Sequence, residues 1–245
     1  MAQINHLNTI HLNYLNPLLK WRVMNLESLR QECTNVPNYF NFCKIIRSLE
    51  KAKILEGYRH PFNRKKYVYL SSFGEGQLSL TENPSSVSKE TLIHDIKVSE
   101  IGKSFVDIGW MNNIQLEHEL HNKRNFRVTY KIIPDALLEG TKKGVSYKVA
   151  LEVELSRKSN PRILEKARQY SASTYYNYVM YIFSKRNYME KYIEIIKSGV
   201  SSEDFNRFMF FIDETMSADP TNLSEMQGFF KDKSVKLSEV FGPVK

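Results

Sequence analysis

Three acidic residues interrupt two stretches that otherwise have the composition of buried β-strands, and this limits the possible folds more than any other feature of the chain. Residues 131–138 (KIIPDALL) read as one strand and residues 145–155 (VSYKVALEVEL) as its antiparallel neighbour, with the turn over 140–144. Side chains alternate along a strand, so Glu152 and Glu154 share one face while Leu151, Val153 and Leu155 take the other. Asp135 on the adjoining strand joins the acidic face. Carboxylates packed together repel one another and lose hydration, and a divalent cation is the simplest compensation. Glu152 alone is easily served by Lys131 or Lys148 across the hairpin. Three carboxylates within apolar strands are harder to satisfy in that way.

The 245 residues allow one large domain or two small ones. A Pro-, Ser- and Asn-rich break (TENPSSVS, 81–88) divides them into an expected first domain over 1–80, a linker over 81–89 and a second domain over 90–245. In the first domain Leu15, Leu18, Leu19, Val23, Leu26 and Leu29 recur at helical spacing. A further helix is predicted over 37–52, with Phe42, Ile45, Ile46 and Leu49 on its apolar face. Two short strands follow over 54–59 and 66–70, which completes the outline of a winged helix-turn-helix. In the second domain helices are predicted over 89–106, 159–173 and 188–196, and strands over 176–183 and 208–212. The helix near 159 starts on Ser159-Asn160-Pro161, a side-chain cap followed by proline near the first turn. From Ser217 onward the pattern is weak and assigns no element.

A net charge of +8 favours a polyanionic partner. In a winged helix-turn-helix the second helix enters the major groove and the wing meets the backbone or minor groove. The corresponding helix begins with Asn38, Tyr39 and Asn41 and carries Lys44, Arg47 and Lys51 on its polar side. Arg59, Arg64, Lys65 and Lys66 concentrate charge at the hairpin tip. Asn can read adenine edges, and Lys or Arg can neutralise phosphates. A winged helix used for protein contacts is the competing reading. Cys33 and Cys43 lack metal-ligand spacing and read as reduced, buried thiols of a cytoplasmic protein. No apolar run of about 18 residues suggests a membrane span. His118 and His121 read as helix-surface residues, and Tyr170, Tyr175, Tyr176, Tyr178 and Tyr181 as core or stacking groups rather than nucleophiles.

The order Pro134-Asp135, then Glu152-x-Glu154, resembles the PD-(D/E)xK nuclease superfamily, the restriction-endonuclease-like fold. The pattern there is Asp on one strand and Glu-x-Lys on the next, with helices on either side. Glu154 stands where that lysine belongs. The resemblance implies that the following helix supplies the role, and Lys166 is the best substitute, ahead of Arg157 and Lys158. Gln169 and Tyr170 share its face at i+3 and i+4. It also implies a further acid from an earlier helix, Glu117 first and Glu119 second, with His94-Asp95 as another site element. The whole order, winged helix included, is similar to plasmid replication-relaxation proteins and, within them, to the MOBC family of mobilisation relaxases.

The expected fold is therefore α/β of the α+β kind, a winged helix-turn-helix followed by a restriction-endonuclease-like mixed-sheet domain. The resemblance implies a strand-specific endonuclease nicking at a plasmid transfer origin, on DNA that is double-stranded and locally single-stranded. Asp135, Glu152 and Glu117 would hold Mg²⁺ or Mn²⁺, with Glu154 as an alternative, and Lys166 would serve the phosphate or the water. A coupling protein and an accessory mobilisation protein are the implied partners. Two alternatives stand beside this one: a DNA-binding replication or mobilisation factor that does not cut, and a transcriptional regulator.

Overall fold

Asparagine side chains start the first three helices among the described residues. In the computed structural model, which describes residues 7–34, 38–78, 87–121, 132–214 and 222–242, α1 (Thr9–Trp21) is capped by Asn8, which accepts the His11 N–H at 2.9 Å. Asn25 caps α2 (Leu26–Glu32) and Asn38 caps α3 (Tyr39–Lys51) in the same way, satisfying an otherwise orphan amide at each N-terminus. The helical period that runs from Leu15 to Leu29 in sequence is broken in space. Arg22 leaves the helix at φ 65°, and β1 (Val23–Asn25) follows. With β2 (Leu55–Arg59) and β3 (Lys66–Leu70) it forms an antiparallel sheet ordered β1-β3-β2. Val23 therefore serves as a strand residue opposite Tyr69, not as a continuation of α1. Helix α4 (Ser72–Gln77) follows β3.

The chain divides into two compact units, 1–99 and 100–245, and the division falls inside α5 (Leu92–Asp107). Leu92 and Ile96 of α5 pack with Val23, Tyr67 and Tyr69 in the first unit. Phe105 of the same helix meets Trp110 and Phe241 in the second. Most of the expected linker, 81–86, lies outside the described residues.

The second unit is built on a seven-stranded mixed sheet ordered β10-β9-β8-β7-β6-β5-β4. β4 (Asn113–Leu116), followed by the short α6 (Glu117–His121), forms one edge. β5 (Ala136–Lys142) and β6 (Val145–Glu154) are the central hairpin. β5 begins after Asp135, not at residue 131, which lies outside the described residues. The turn is also tighter than the sequence suggests, consisting of Lys143 (φ 51°) and Gly144 (φ 76°). A two-residue hairpin turn with both φ positive matches the right-handed twist of its strands, and glycine enters that region without strain. Gly140, expected in the turn, lies in the strand opposite Tyr147, whose ring occupies the space a Cβ would fill.

After β6 come α7 (Asn160–Ser171), β7 (Tyr178–Phe183), α8 (Arg186–Gly199), the short α9 (Ser202–Phe205) and β8 (Phe208–Ile212). β6, β7 and β8 are parallel to one another. One face of the sheet buries Ala150, Tyr181, Phe183 and Phe210 against Ile163, Ala167 and Tyr170 of α7 and Met189, Tyr192 and Ile196 of α8. The weakly patterned tail adds β9 (Gln227–Phe230), β10 (Lys233–Lys236) and α10 (Leu237–Phe241), which extend the sheet beyond β8. No helix among the described residues is long and apolar enough to cross a membrane.

Candidate active site

The register of β4, β5 and β6 brings three acidic positions into one row. Leu116 is opposite Ala136, and Ala136 is opposite Leu151, so the next step along the ladder aligns Glu117, Asp135 and Glu152. The Glu117 N–H donates to the Asp135 carbonyl at 2.9 Å. The Val153 N–H donates to Asp135 Oδ2 at 2.8 Å, which fixes that carboxylate against the end of β6. Pro134 has no N–H of its own, so the chain can enter at this point without an unpaired amide donor.

Glu152 is only 1% exposed. Two residues of α7, one helical turn apart, reach its two oxygens. Lys166 Nζ lies 2.5 Å from Oε2, and the Tyr170 hydroxyl donates to Oε1. Burial pushes the Glu152 carboxyl up to about 7; Lys166 opposes the rise and Asp135 adds to it. Glu154, two residues on and on the same face, is also raised, by burial first, against the opposing charges of Lys166 and Lys158. Its oxygen lies 3.8 Å from Lys158 Nζ. Burial works against the Lys166 charge, but Glu152, Asp135 and Glu154 together outweigh it and raise its pKa. The Tyr170 and Tyr181 phenols are pushed well above their usual value by burial and then by Glu152, so both remain protonated, and Tyr170 is the one that donates to Glu152. The Tyr192 hydroxyl faces Glu154 from α8.

Asp135, Glu152, Glu154 and Lys166 are thus brought together, but the compensation differs from the one the sequence suggested. Lys166 and Tyr170 satisfy Glu152, and Lys158 stands 3.8 Å from Glu154, while the buried Tyr192 hydroxyl nearby makes no hydrogen bond among the described residues. A cation is therefore not the only way to make the acidic crowding tolerable. Among the described residues, no three His, Cys, Asp or Glu side chains stand together as a ready metal-holding group. Lys148 pairs with Glu139 across the hairpin at 3.6 Å, leaving Glu152 to α7. Arg157 turns to Asn160 at 2.6 Å, and Gln169 is exposed while its neighbour Tyr170 is buried. Ser159 makes no side-chain cap, so α7 starts on the proline alone.

Glu119 accepts the Leu116 N–H at 2.9 Å and so holds the entry to α6. His118 is buried, against the surface position expected for it. Asp95 is engaged by Arg22 at 3.3 Å and by the Thr91 hydroxyl at 2.9 Å, both within the first unit. The shared face of Lys166 and Tyr170 was legible from their i, i+4 spacing, but that both end on Glu152 was not. The approach of Tyr192 to Glu154 was not, because α8 is distant in sequence and its tyrosine reads as an ordinary core aromatic.

In the first unit a groove of about 580 Å³ lies between α3 and the β2–β3 tip, lined by Tyr39, Arg47, Arg59, Lys65 and Lys66 together with Asn25. Asn41, Lys44 and Arg64 are exposed but do not line it. Lys66 is paired with Glu50 at 2.6 Å, and an Arg59 guanidinium N–H donates to the Arg64 carbonyl at 2.9 Å. Phe40 on α3 and Phe62 at the hairpin tip are exposed aromatics that the sequence did not single out.

Comparison with protein-family models, with curated proteins and with solved structures gives no match for this chain.

Proposed function

We propose that the chain is a metal-dependent DNA endonuclease, with Asp135, Glu152 and Lys166 as its working centre. The observation that carries this reading is the convergence of those three groups, with Tyr170, at the ends of two neighbouring strands. Hard cations take oxygen ligands and are commonly held by one or two carboxylates with substrate phosphates and water. The oxygen-only donor set of Asp135 and Glu152 fits Mg²⁺ or Mn²⁺ on that basis, with Glu117 adjoining in the same row. A bound divalent ion would supply Lewis-acid activation of the phosphodiester and of water. The chain itself supplies orientation. Tyr170 fixes Glu152 Oε1, Val153 fixes Asp135 Oδ2, and Lys166, on releasing Oε2, would orient the scissile phosphate.

The first unit is read as a winged helix-turn-helix that selects the DNA, with α3 and the β2–β3 tip as its contact surface. Arg47, Arg59 and Lys65 support this by bordering one groove, in which Glu27 is the single acidic lining residue among those described. The narrower reading, a mobilisation relaxase acting at a plasmid transfer origin with a coupling protein, rests on the order of the sequence motifs.

A supercoiled-plasmid nicking assay with Mg²⁺ or Mn²⁺ tests the proposal. Nicking should fall by at least ~100-fold in Asp135→Ala and in Glu152→Ala, as expected when a group central to transition-state stabilisation is removed. Nicking that survives both substitutions, or that is indifferent to EDTA, would refute it. A second reading is a DNA-binding module that does not cut. It is favoured by the engagement of both Glu152 oxygens by residues of the chain itself. DNA binding without nicking under every metal condition would select it.

A further inference from the structure

The second unit contains a cavity of about 630 Å³ that the acidic site does not use. It opens at the hairpin end of the large sheet, where Tyr147 of β6, Tyr178 of β7 and Phe230 of β9 line it. The register puts these rings on one face: Val149 is opposite Tyr178, Met180 is opposite Met209, and Met209 is opposite Phe230. Tyr147 and Glu152 differ by an odd number of positions along β6, so they point to opposite faces, about 17 Å apart along the strand. The cavity is therefore separate from the carboxylates.

Its lining combines two chemistries. Three half-buried aromatic rings line it, with Tyr147 already stacked on Phe241 and Tyr178 set edge to face against Phe230, which leaves Tyr178 and Phe230 as the main apolar walls. Lys142, Arg207 and Lys231 bring positive charge, with the Lys142 ammonium donating to the Val240 carbonyl at 2.6 Å, and among the described residues no Asp or Glu lines the cavity. The Arg207 guanidinium donates to the carbonyls of Ser171, Ser173 and Tyr176 at 2.6–3.1 Å and pairs with Asp204 at 3.6 Å, so its position at the wall is fixed while part of its charge is already met. Preorganisation of this kind lowers the entropic cost of binding. The Lys231 ammonium lies over one face of the Phe230 ring, 5.2 Å from its centre, so charge and aromatic surface adjoin there. An acidic peptide would satisfy the cations and leave the rings unused, and a neutral aromatic ligand would do the reverse. A nucleotide, with its planar base and phosphate, satisfies both. The volume also falls within the few hundred to roughly 1,000 Å³ usual for ligand pockets.

We propose that this cavity binds a nucleotide, with the base against Tyr147, Tyr178 and Phe230 and the phosphate toward Lys231 and Arg207. The nucleotide can be free or part of a single strand, and the test separates these sources. The 245-residue chain is irradiated in EDTA with 5-iodouracil-substituted oligothymidylate or with 5-iodouridine monophosphate, and crosslinked peptides are mapped by mass spectrometry. EDTA makes the result independent of whether Asp135 and Glu152 support cutting. Crosslinks at Tyr147, Tyr178 or Phe230 are expected. Crosslinking by both probes identifies a free-nucleotide site, and crosslinking by the oligonucleotide alone identifies a strand site. Affinity for the crosslinking probe should fall roughly tenfold in Tyr178→Leu, within the range for loss of one stacked base. It should fall similarly in Lys231→Glu, an exposed turn position where folding is not at stake. Crosslinks absent from these three residues, with unchanged affinity in Lys231→Glu, would overturn the proposal.

Discussion

Replacing Lys166 by Met removes the counter-charge of a carboxylate that is almost completely buried. In the wild-type protein Glu152 titrates near 7, with Lys166 opposing the upward push of burial. Without Lys166 that push is unopposed, and Glu152 stays protonated well beyond neutrality. The unfolded chain titrates it in the ordinary carboxylate range in both proteins. Above the wild-type pKa the folded variant therefore holds one proton that its unfolded state lacks, and its stability falls by about 1.4 kcal/mol per pH unit. The wild-type protein has no such slope from this group. At about pH 7 protonation limits the damage to ~1–2 kcal/mol, the scale of one lost hydrogen bond to a charged group. By about pH 8.5 the difference grows by a further ~2 kcal/mol, giving a total of about 3–4 kcal/mol, comparable with breaking a buried ion pair. A third of the Lys166 side chain meets solvent, so the lower end of that range is expected. Urea unfolding at the two pH values is the assay. The chain has two tryptophans, and a Trp21→Phe background leaves Trp110 to report on the second unit alone. A destabilisation that is the same at both pH values would show that Lys166 does not govern the charge state of Glu152.

Tyr170→Phe should cost about 1–2 kcal/mol and raise the Glu152 pKa further, since the hydroxyl stabilises the charged carboxylate. Carbon NMR titration of glutamate side chains reads that shift directly, and an unmoved Glu152 resonance would contradict it. Gly144→Ala places a Cβ at φ 76° in the β5–β6 turn and should lower stability by about 1 kcal/mol, measured by urea unfolding. Arg47→Gln and Lys65→Gln should each weaken DNA binding with little change in sequence preference. Each should also reduce the slope of log affinity against log salt by about one, measured by fluorescence anisotropy.

Strands whose hydrophobic runs end at clear punctuation were legible in the sequence. β8 lies where Phe208 to Ile212 predict it, and β2 and β3 flank the expected polar tip. β1 was not legible, because Val23 fits the helical period of Leu15, Leu18 and Leu19 and only the left-handed Arg22 breaks it. The hairpin turn was read too wide, since Gly140 and Gly144 both look like turn residues and only pairing with Tyr147 returns Gly140 to a strand. β9 and β10 were hidden by length, each having four residues with no buried alternation.

At the site, alternation gave the shared face of Glu152 and Glu154, and the i, i+4 spacing gave Lys166 with Tyr170. What alternation could not supply was the identity of the compensating group, because that depends on which helix crosses the strand and how closely. The same holds for the Tyr192 hydroxyl, buried near Glu154 on a helix that was itself predicted but whose side toward the acids was not.

Helix α5 contributes eight residues to each side of the contact division. Severing the chain there would leave two stubs, 92–99 and 100–107, each about two turns long and far below the length at which an isolated helix persists in water. Deletion studies that seek either half in working order must therefore keep 92–107 as an indivisible segment, carried whole by whichever fragment is expressed.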